Sequence, residues 1–131
     1  MQKGALLEVT EQALQVGIQQ ARSGVRTGDV GFSIEEFIKS KGEFGIIRRL
    51  VGHGIGYSIH EDPKIPNFGV QGTGYQFEEG EVIAIEPMVS LGSDEIILAP
   101  DNFTYKTVDG SLAAHFEKTI VVYSDRAQVL T

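Results

Sequence analysis

Hydrophobic periodicity changes character at Gly42, and that change limits the chain to one class of architecture. Over residues 5–22 the apolar positions Leu7, Leu14, Ile18 and Ala21 recur at helical spacing with Glu and Gln between them, which predicts one buried stripe and a wet opposite face. Ser23-Gly24 ends that helix. A second helix is expected from near Asp29, a candidate N-cap, turning Val30, Ile34, Phe37 and Ile38 inward and Glu35, Glu36 and Lys39 to water. Beyond Gly42 come short β-prone runs at 46–47, 82–85, 95–98, 104–107 and 116–123, separated by Gly, Pro, Asn and Asp. The predicted class is α+β, two helices packed on an antiparallel sheet. Segment 61–80 is expected to be an extended loop, because Pro63 and Pro66 withhold ladder donors and Gly69, Gly72 and Gly74 loosen the remainder of the segment. Such a loop serves either as a surface connection or as a lid or substrate rim.

A chain of 131 residues with 41% hydrophobic and 22% charged content is long enough for one core, so residues 1–131 read as a single domain. Its net charge of -7 offers no footprint for phosphate backbones or anionic lipid, which removes nucleic acid and membrane as primary partners. The longest apolar stretches run only a few residues, and Met1-Gln2-Lys3-Gly4-Ala5 is followed by Glu8 and Glu11 rather than by an apolar signal core; the expected location is cytoplasmic. With no cysteine, any metal site must draw on histidine and carboxylate.

Residues able to do chemistry concentrate in three runs. In Gly52-His53-Gly54-Ile55-Gly56-Tyr57-Ser58-Ile59-His60-Glu61, two histidines sit among glycines that let backbone and ligand approach closely. If 55–60 is strand-like, His53 and His60 fall on opposite pleat phases and play different roles. In Ile83-Ala84-Ile85-Glu86-Pro87 a carboxylate ends an apolar run, where it requires a cation, a proton or strong donors. In Ala113-Ala114-His115-Phe116-Glu117-Lys118-Thr119-Ile120 a second carboxylate is expected within an apolar strand. One imidazole and two carboxylates form a hard donor set suited to Mn, Fe, Co or Zn. Each run also has a plainer reading, as a capped or core histidine or a salt-bridged glutamate. Three separate structural partners would then be needed in one small domain.

Taken in order, Gly52-His53-Gly54-Ile55-Gly56 with His60-Glu61 and Pro63, then Ile85-Glu86-Pro87-Met88, then Thr107-Val108-Asp109-Gly110-Ser111-Leu112-Ala113-Ala114 leading into Phe116-Glu117, resemble the type I methionine aminopeptidases. The resemblance runs over essentially the whole chain and matches the C-terminal half of that family. Xaa-Pro dipeptidases have a similar His-Glu-Glu set, but the Ile-Glu-Pro-Met and Asp-Gly-Ser-Leu-Ala-Ala wording fits the methionine enzymes better. The resemblance implies half of a pita-bread fold and a dinuclear centre of divalent metal that removes N-terminal methionine from peptides and nascent proteins. Such a centre acidifies a bridging water and polarises the scissile carbonyl. It further implies that His53, Glu86 and Glu117 ligate metal and converge within a few ångströms. Glu86 also serves as general base, and His60 contacts the substrate and its developing oxyanion from outside the ligand set. Ile59 and Phe103 match positions lining the methionine pocket, where an aliphatic and an aromatic wall suit a thioether.

The chain departs from the family pattern in three ways. Many members have Trp where Phe103 stands and His where Lys118 stands; the lysine either weakens metal binding or points away. The third departure concerns two aspartate ligands, about ten residues apart in the family, in the half that precedes the matched region. Among Asp29, Asp62, Asp94, Asp101, Asp109 and Asp125 no such pair occurs. The expectation is therefore two metal ions in a complete enzyme but one or none in this chain alone, with low activity. A complementing N-terminal half or a homodimer is the expected partner. Alternative readings are a non-catalytic peptide- or metal-binding half-domain and an Xaa-Pro dipeptidase-like fragment.

Overall fold

A computed structural model describes residues 2–131, with side chains from Lys3 onward. Met1, the first residue of the start expected to hold no signal core, lies outside the described residues. No helix among the described residues is long and apolar enough to cross a membrane.

Helix α1 (Gln2–Gln20) buries Leu6, Val9, Thr10, Ala13, Leu14 and Ile18, two adjacent rows at the helical repeat, and Ala21 extends the stripe past its end. Leu7, expected on that stripe, is 52% exposed. Thr10 takes an inward place instead because its hydroxyl donates to the Leu6 carbonyl at 2.6 Å, which satisfies a polar group inside the core. Helix α2 (Thr27–Lys41) begins two residues before Asp29. Asp29 is therefore not the N-cap: it occupies the third helical position, where its carboxylate accepts from the Arg26 N–H at 2.8 Å. Val30, Ile34 and Ile38 are fully buried, and Phe37 packs partly against them. Glu35 does not face water as expected; its side chain is 14% exposed and pairs with Lys39 at 3.1 Å and Arg48 at 3.6 Å.

The strands are β1 (Gly45–Ile46), β2 (Gly52–Ile55), β3 (Glu61–Ile65), β4 (Val82–Ile85), β5 (Met88–Ser90), β6 (Ile96–Leu98), β7 (Tyr105–Thr107), β8 (Ala113–His115), β9 (Lys118–Val122) and β10 (Ala127–Val129). They form a five-stranded sheet in the order β10-β9-β4-β2-β3, a three-stranded sheet β1-β5-β8 and the hairpin β6-β7, all antiparallel. The helices pack on this framework, α1 touching β4, β5 and β8 and α2 touching β3. Ile83, Ile85, Ile120, Val122 and Val89 meet the helical stripes to make the core.

Segment 61–80 is not loop throughout, since its first five residues form β3. Pro63 is tolerated because β3 is an edge strand and the proline lies where the β2–β3 register shifts, so a missing donor breaks no ladder bond. Residues 66–76 then cross the start of α2 as a strap. Gly31 allows that crossing: a Cβ there would fall 2.1 Å from the Phe68 carbonyl oxygen and 2.8 Å from that of Pro66. The strap is tied by Gly72 N–H to Asp29 at 2.8 Å, Gly69 N–H to Glu35 at 3.3 Å and the Arg48 guanidinium 4.4 Å over the Phe68 ring.

Candidate metal centre

Two continuous chain segments, β4 into β5 and β8 into β9, pair in the five-stranded sheet and then again in the three-stranded one. Their register runs unbroken through the change of sheet. Ile85 faces Lys118 before it and Met88 faces His115 after it, so Glu86 stands directly opposite Glu117 at the junction. On the neighbouring strand His53 faces Ala84. Residues directly opposite in an antiparallel pair share a face, and side chains two apart on a strand share a face. His53, Ala84, Glu86 and Glu117 therefore all project to the same side, opposite the helices, with the small Ala84 leaving room among them.

The resulting distances are short. His53 Nε2 lies 3.0 Å from Glu86 Oε1 and 4.0 Å from Glu117 Oε2, and one donor atom from each residue lies within 4.8 Å of the others. His53 and Glu86 are largely buried, whereas Glu117, expected within an apolar strand, sits between β8 and β9 with its side chain 44% exposed. Two carboxylates facing each other across a strand pair repel unless a cation or proton intervenes.

His60 reaches the cluster by a different route. Strand β2 stops at Ile55, residues 56–60 bend, and β3 returns, so the pleat argument for 55–60 does not apply. The turn is closed by Gly56 N–H to the Ser58 carbonyl at 3.0 Å and Ser58 N–H to Glu61 at 3.1 Å. It brings the His60 ring to 4.2 Å from that of His53, tilted by 49°. A profile of metallopeptidase family M24 matches residues 2–124.

The chain belongs to metallopeptidase family M24.

Among curated relatives, methionine aminopeptidase of Mycoplasma capricolum is 44% identical over 126 residues, 96% of this chain and 50% of the relative. Methionine aminopeptidase 1 of Bacillus subtilis is 42% identical with the same coverage. Among solved structures, the methionine aminopeptidase of Thermotoga maritima superposes with a TM-score of 0.92 at 46% identity, over 96% of this chain and 50% of that one. That of Rickettsia prowazekii gives 0.93 at 36%, over 98% and 52%. The prolidase of Pyrococcus furiosus, at 0.73 and 22%, shares the fold. The chain thus spans about half the length of the curated relatives it matches, and its helices over antiparallel sheets are the expected pita-bread arrangement.

In this M24 chain the cluster suits a divalent cation on its own chemistry. His53 Nδ1–H donates to the Gly54 carbonyl at 3.0 Å, which in the neutral ring leaves a lone pair on Nε2. That buried Nε2 meets no hydrogen donor among the described residues and instead faces two carboxylate oxygens. A proton on Nε2 or a metal cation between the three groups reconciles them, and the imidazole and carboxylate donors match Mn, Fe, Co or Zn.

His115, which sequence reasoning left without a role, joins the same cluster. Its Nε2 lies 3.2 Å from Glu86 Oε2, so each Glu86 oxygen meets a different imidazole. The hydrogen bond to Glu86 raises the His115 pKa, assisted by the charges of Glu86 and Glu117 and opposed by partial burial. The signal that could have found it is its position two before Glu117, on the same strand phase. Lys118, on the opposite phase, turns away and donates to the Thr131 carbonyl at 2.9 Å.

The other sequence-predicted residues lie farther out. A cavity of 510 Å³ holds His53, His60, Glu86 and His115 among Ile47, Val51, Met88 and Ala114. A second hollow of 590 Å³ lies beside Glu117 and includes Ile59, which is 73% exposed at its rim. Phe103 is not gathered with them: it sits between β6 and β7, 87% exposed.

Proposed function

We propose that this chain supplies the His53, Glu86 and Glu117 side of a methionine aminopeptidase active site, which releases N-terminal methionine from peptides and nascent proteins in the cytoplasm. The observation that carries the reading is the convergence of His53 Nε2 with two opposed carboxylates in a chain whose relatives bear that name. Divalent ions held by these residues would supply an acidified water and a polarised carbonyl. Glu86 is the group placed to accept the proton of the attacking water, and His115 on its second oxygen keeps that carboxylate oriented. His60, beside His53 but exposed, is placed to donate to the oxygen that gains charge as the peptide bond is attacked. Ile59 lines the hollow beside Glu117 and is the residue placed for one wall of a methionine pocket.

By the resemblance to the family, the remaining aspartate ligands lie on a segment preceding the matched region. The 131-residue chain therefore holds one ion at most on its own. The test is calorimetric titration with Mn, followed by chromatographic assay of Met-Ala-Ser cleavage, with and without the N-terminal half of a relative. Binding of one ion and cleavage that depends on the added half support the reading. Binding without cleavage in both cases would favour a metal-binding module, and no binding in either would sink the assignment of the ligands.

A further inference from the structure

Glu86 stands where its segment leaves one sheet for another, beside a Pro87 that has no N–H to give. Two backbone bonds hold the far side of this junction: Phe116 N–H to the Pro87 carbonyl at 3.3 Å and Ile47 N–H to the Met88 carbonyl at 3.0 Å. The Glu86 carbonyl itself receives its hydrogen bond from a side chain, Asn67 Nδ2, at 3.3 Å. Asn67 is fully buried and lies at the start of the strap, flanked by the Pro66 and Phe68 carbonyls that close on Gly31 of α2. The carboxamide is thus carried by a segment pinned to a helix and reaches across to the backbone of the most buried carboxylate in the cluster.

The other end of the Asn67 amide argues that the donor is why the residue is there. Its Oδ1 is buried and has no protein partner among the described residues. A dry carboxamide oxygen is unfavourable, and an apolar side chain of similar size would avoid that penalty. Turning the amide over offers no relief, because it would set Oδ1 against the Glu86 carbonyl, acceptor to acceptor. The arrangement satisfies Glu86 at the expense of Asn67.

We propose that Asn67 is a positioning residue for Glu86: by binding its carbonyl at the sheet junction it sets where the carboxylate stands relative to His53 and Glu117. The proposal rests on the reading of that cluster as a metal site. A ligand carboxylate is only as well placed as its backbone, and groups that orient ligands tune affinity without touching the ion.

The test uses the 131-residue chain with Asn67→Ala, Asn67→Leu and, as a control that destabilises the core at the far end of β9, Val122→Ala. Hydrogen exchange of the Phe116 and Ile47 amides is followed by NMR without metal, and Mn binding is measured by calorimetry. Both Asn67 variants are expected to speed exchange at these two amides on the order of ten-fold beyond the control. They are also expected to weaken Mn binding about ten-fold, the leucine variant doing so while keeping its melting temperature. Unchanged exchange at both amides, with unchanged Mn affinity in the folded leucine variant, would overturn the proposal. Faster exchange in variants of a parent that binds no Mn would uphold the role of Asn67 and refute the metal reading instead.

Discussion

At the scale of single residues, the centre is a set of groups that no one of them explains. Glu86 and Glu117 face each other across the strand pair, and His53 turns its Nε2 toward both. Without a cation the two carboxylates oppose each other, so neutralising one should help the metal-free chain and harm the loaded one. Glu117→Gln is expected to raise the stability of the chain in EDTA by about 0.2–1 kcal/mol, the usual scale of a facing like-charge pair. The same change should weaken Mn binding by roughly ten-fold or more, because an amide oxygen lacks the carboxylate charge. Thermal melts with EDTA and with Mn read both effects; a variant that loses stability in EDTA and binds Mn as the parent does would contradict the opposition of the two carboxylates.

At the scale of elements, two junctions can be tested. Gly31→Ala would ordinarily stabilise a helix by about 1 kcal/mol. Here the added methyl group meets the backbone of the strap at Pro66 and Phe68, which cannot yield without moving the whole segment. The expected outcome is a loss of about 1–3 kcal/mol in denaturant unfolding, the cost typical of overpacking. The turn between β7 and β8 depends on Asp109, which accepts from the Ser111 hydroxyl at 2.7 Å, the Ser111 N–H at 3.1 Å and the Ser93 N–H at 2.9 Å. These bonds, the Ser111 hydroxyl foremost, pull its pKa down to about 2 from 3.8. A group whose folded pKa is depressed contributes stability above its unfolded pKa and loses it as pH falls through the folded one. Stability is therefore expected to decline between about pH 4 and pH 2, and Asp109→Asn should flatten that part of the profile in melts recorded across the range.

For the whole molecule, the sheet edges are guarded unequally. Edge strand β3 carries Asp62, Pro63 and Lys64, which discourage pairing. Edge strand β8 offers Ala113, Ala114 and His115, next to a 510 Å³ cavity with apolar walls. Exposed edges and apolar hollows of this kind recruit partners. A second copy about a two-fold axis would cover both β8 edges at once and bring two sets of carboxylates toward each other. Their repulsion makes the pairing depend on cations. Sedimentation at micromolar concentration is expected to find a dimer with Mn and a monomer with EDTA, and the N-terminal half of a relative should displace the second copy. A species that remains monomeric in both buffers would rule the dimer out.

Much of the molecule was legible before tertiary contacts were considered, because it depends on neighbours in sequence. Helical periodicity placed α1 and α2, and turn residues separated the strand runs at 82–85, 95–98 and 104–107. Three ordered motifs pointed to one family and to His53, Glu86 and Glu117. Within the helices, sequence could not tell that Thr10 replaces Leu7 on the buried stripe, since that choice depends on a hydrogen bond back to Leu6 and on what packs beside it. Pro63 argued against a strand and was outweighed by an edge position visible only in the sheet order. His115 and Asn67 gained their places in the same way, through contacts with a glutamate distant in the chain. Local residue types determined which elements form and which donors are present. Strand register, a property of long-range pairing, decided that two glutamates on separate strand segments face each other beside one histidine.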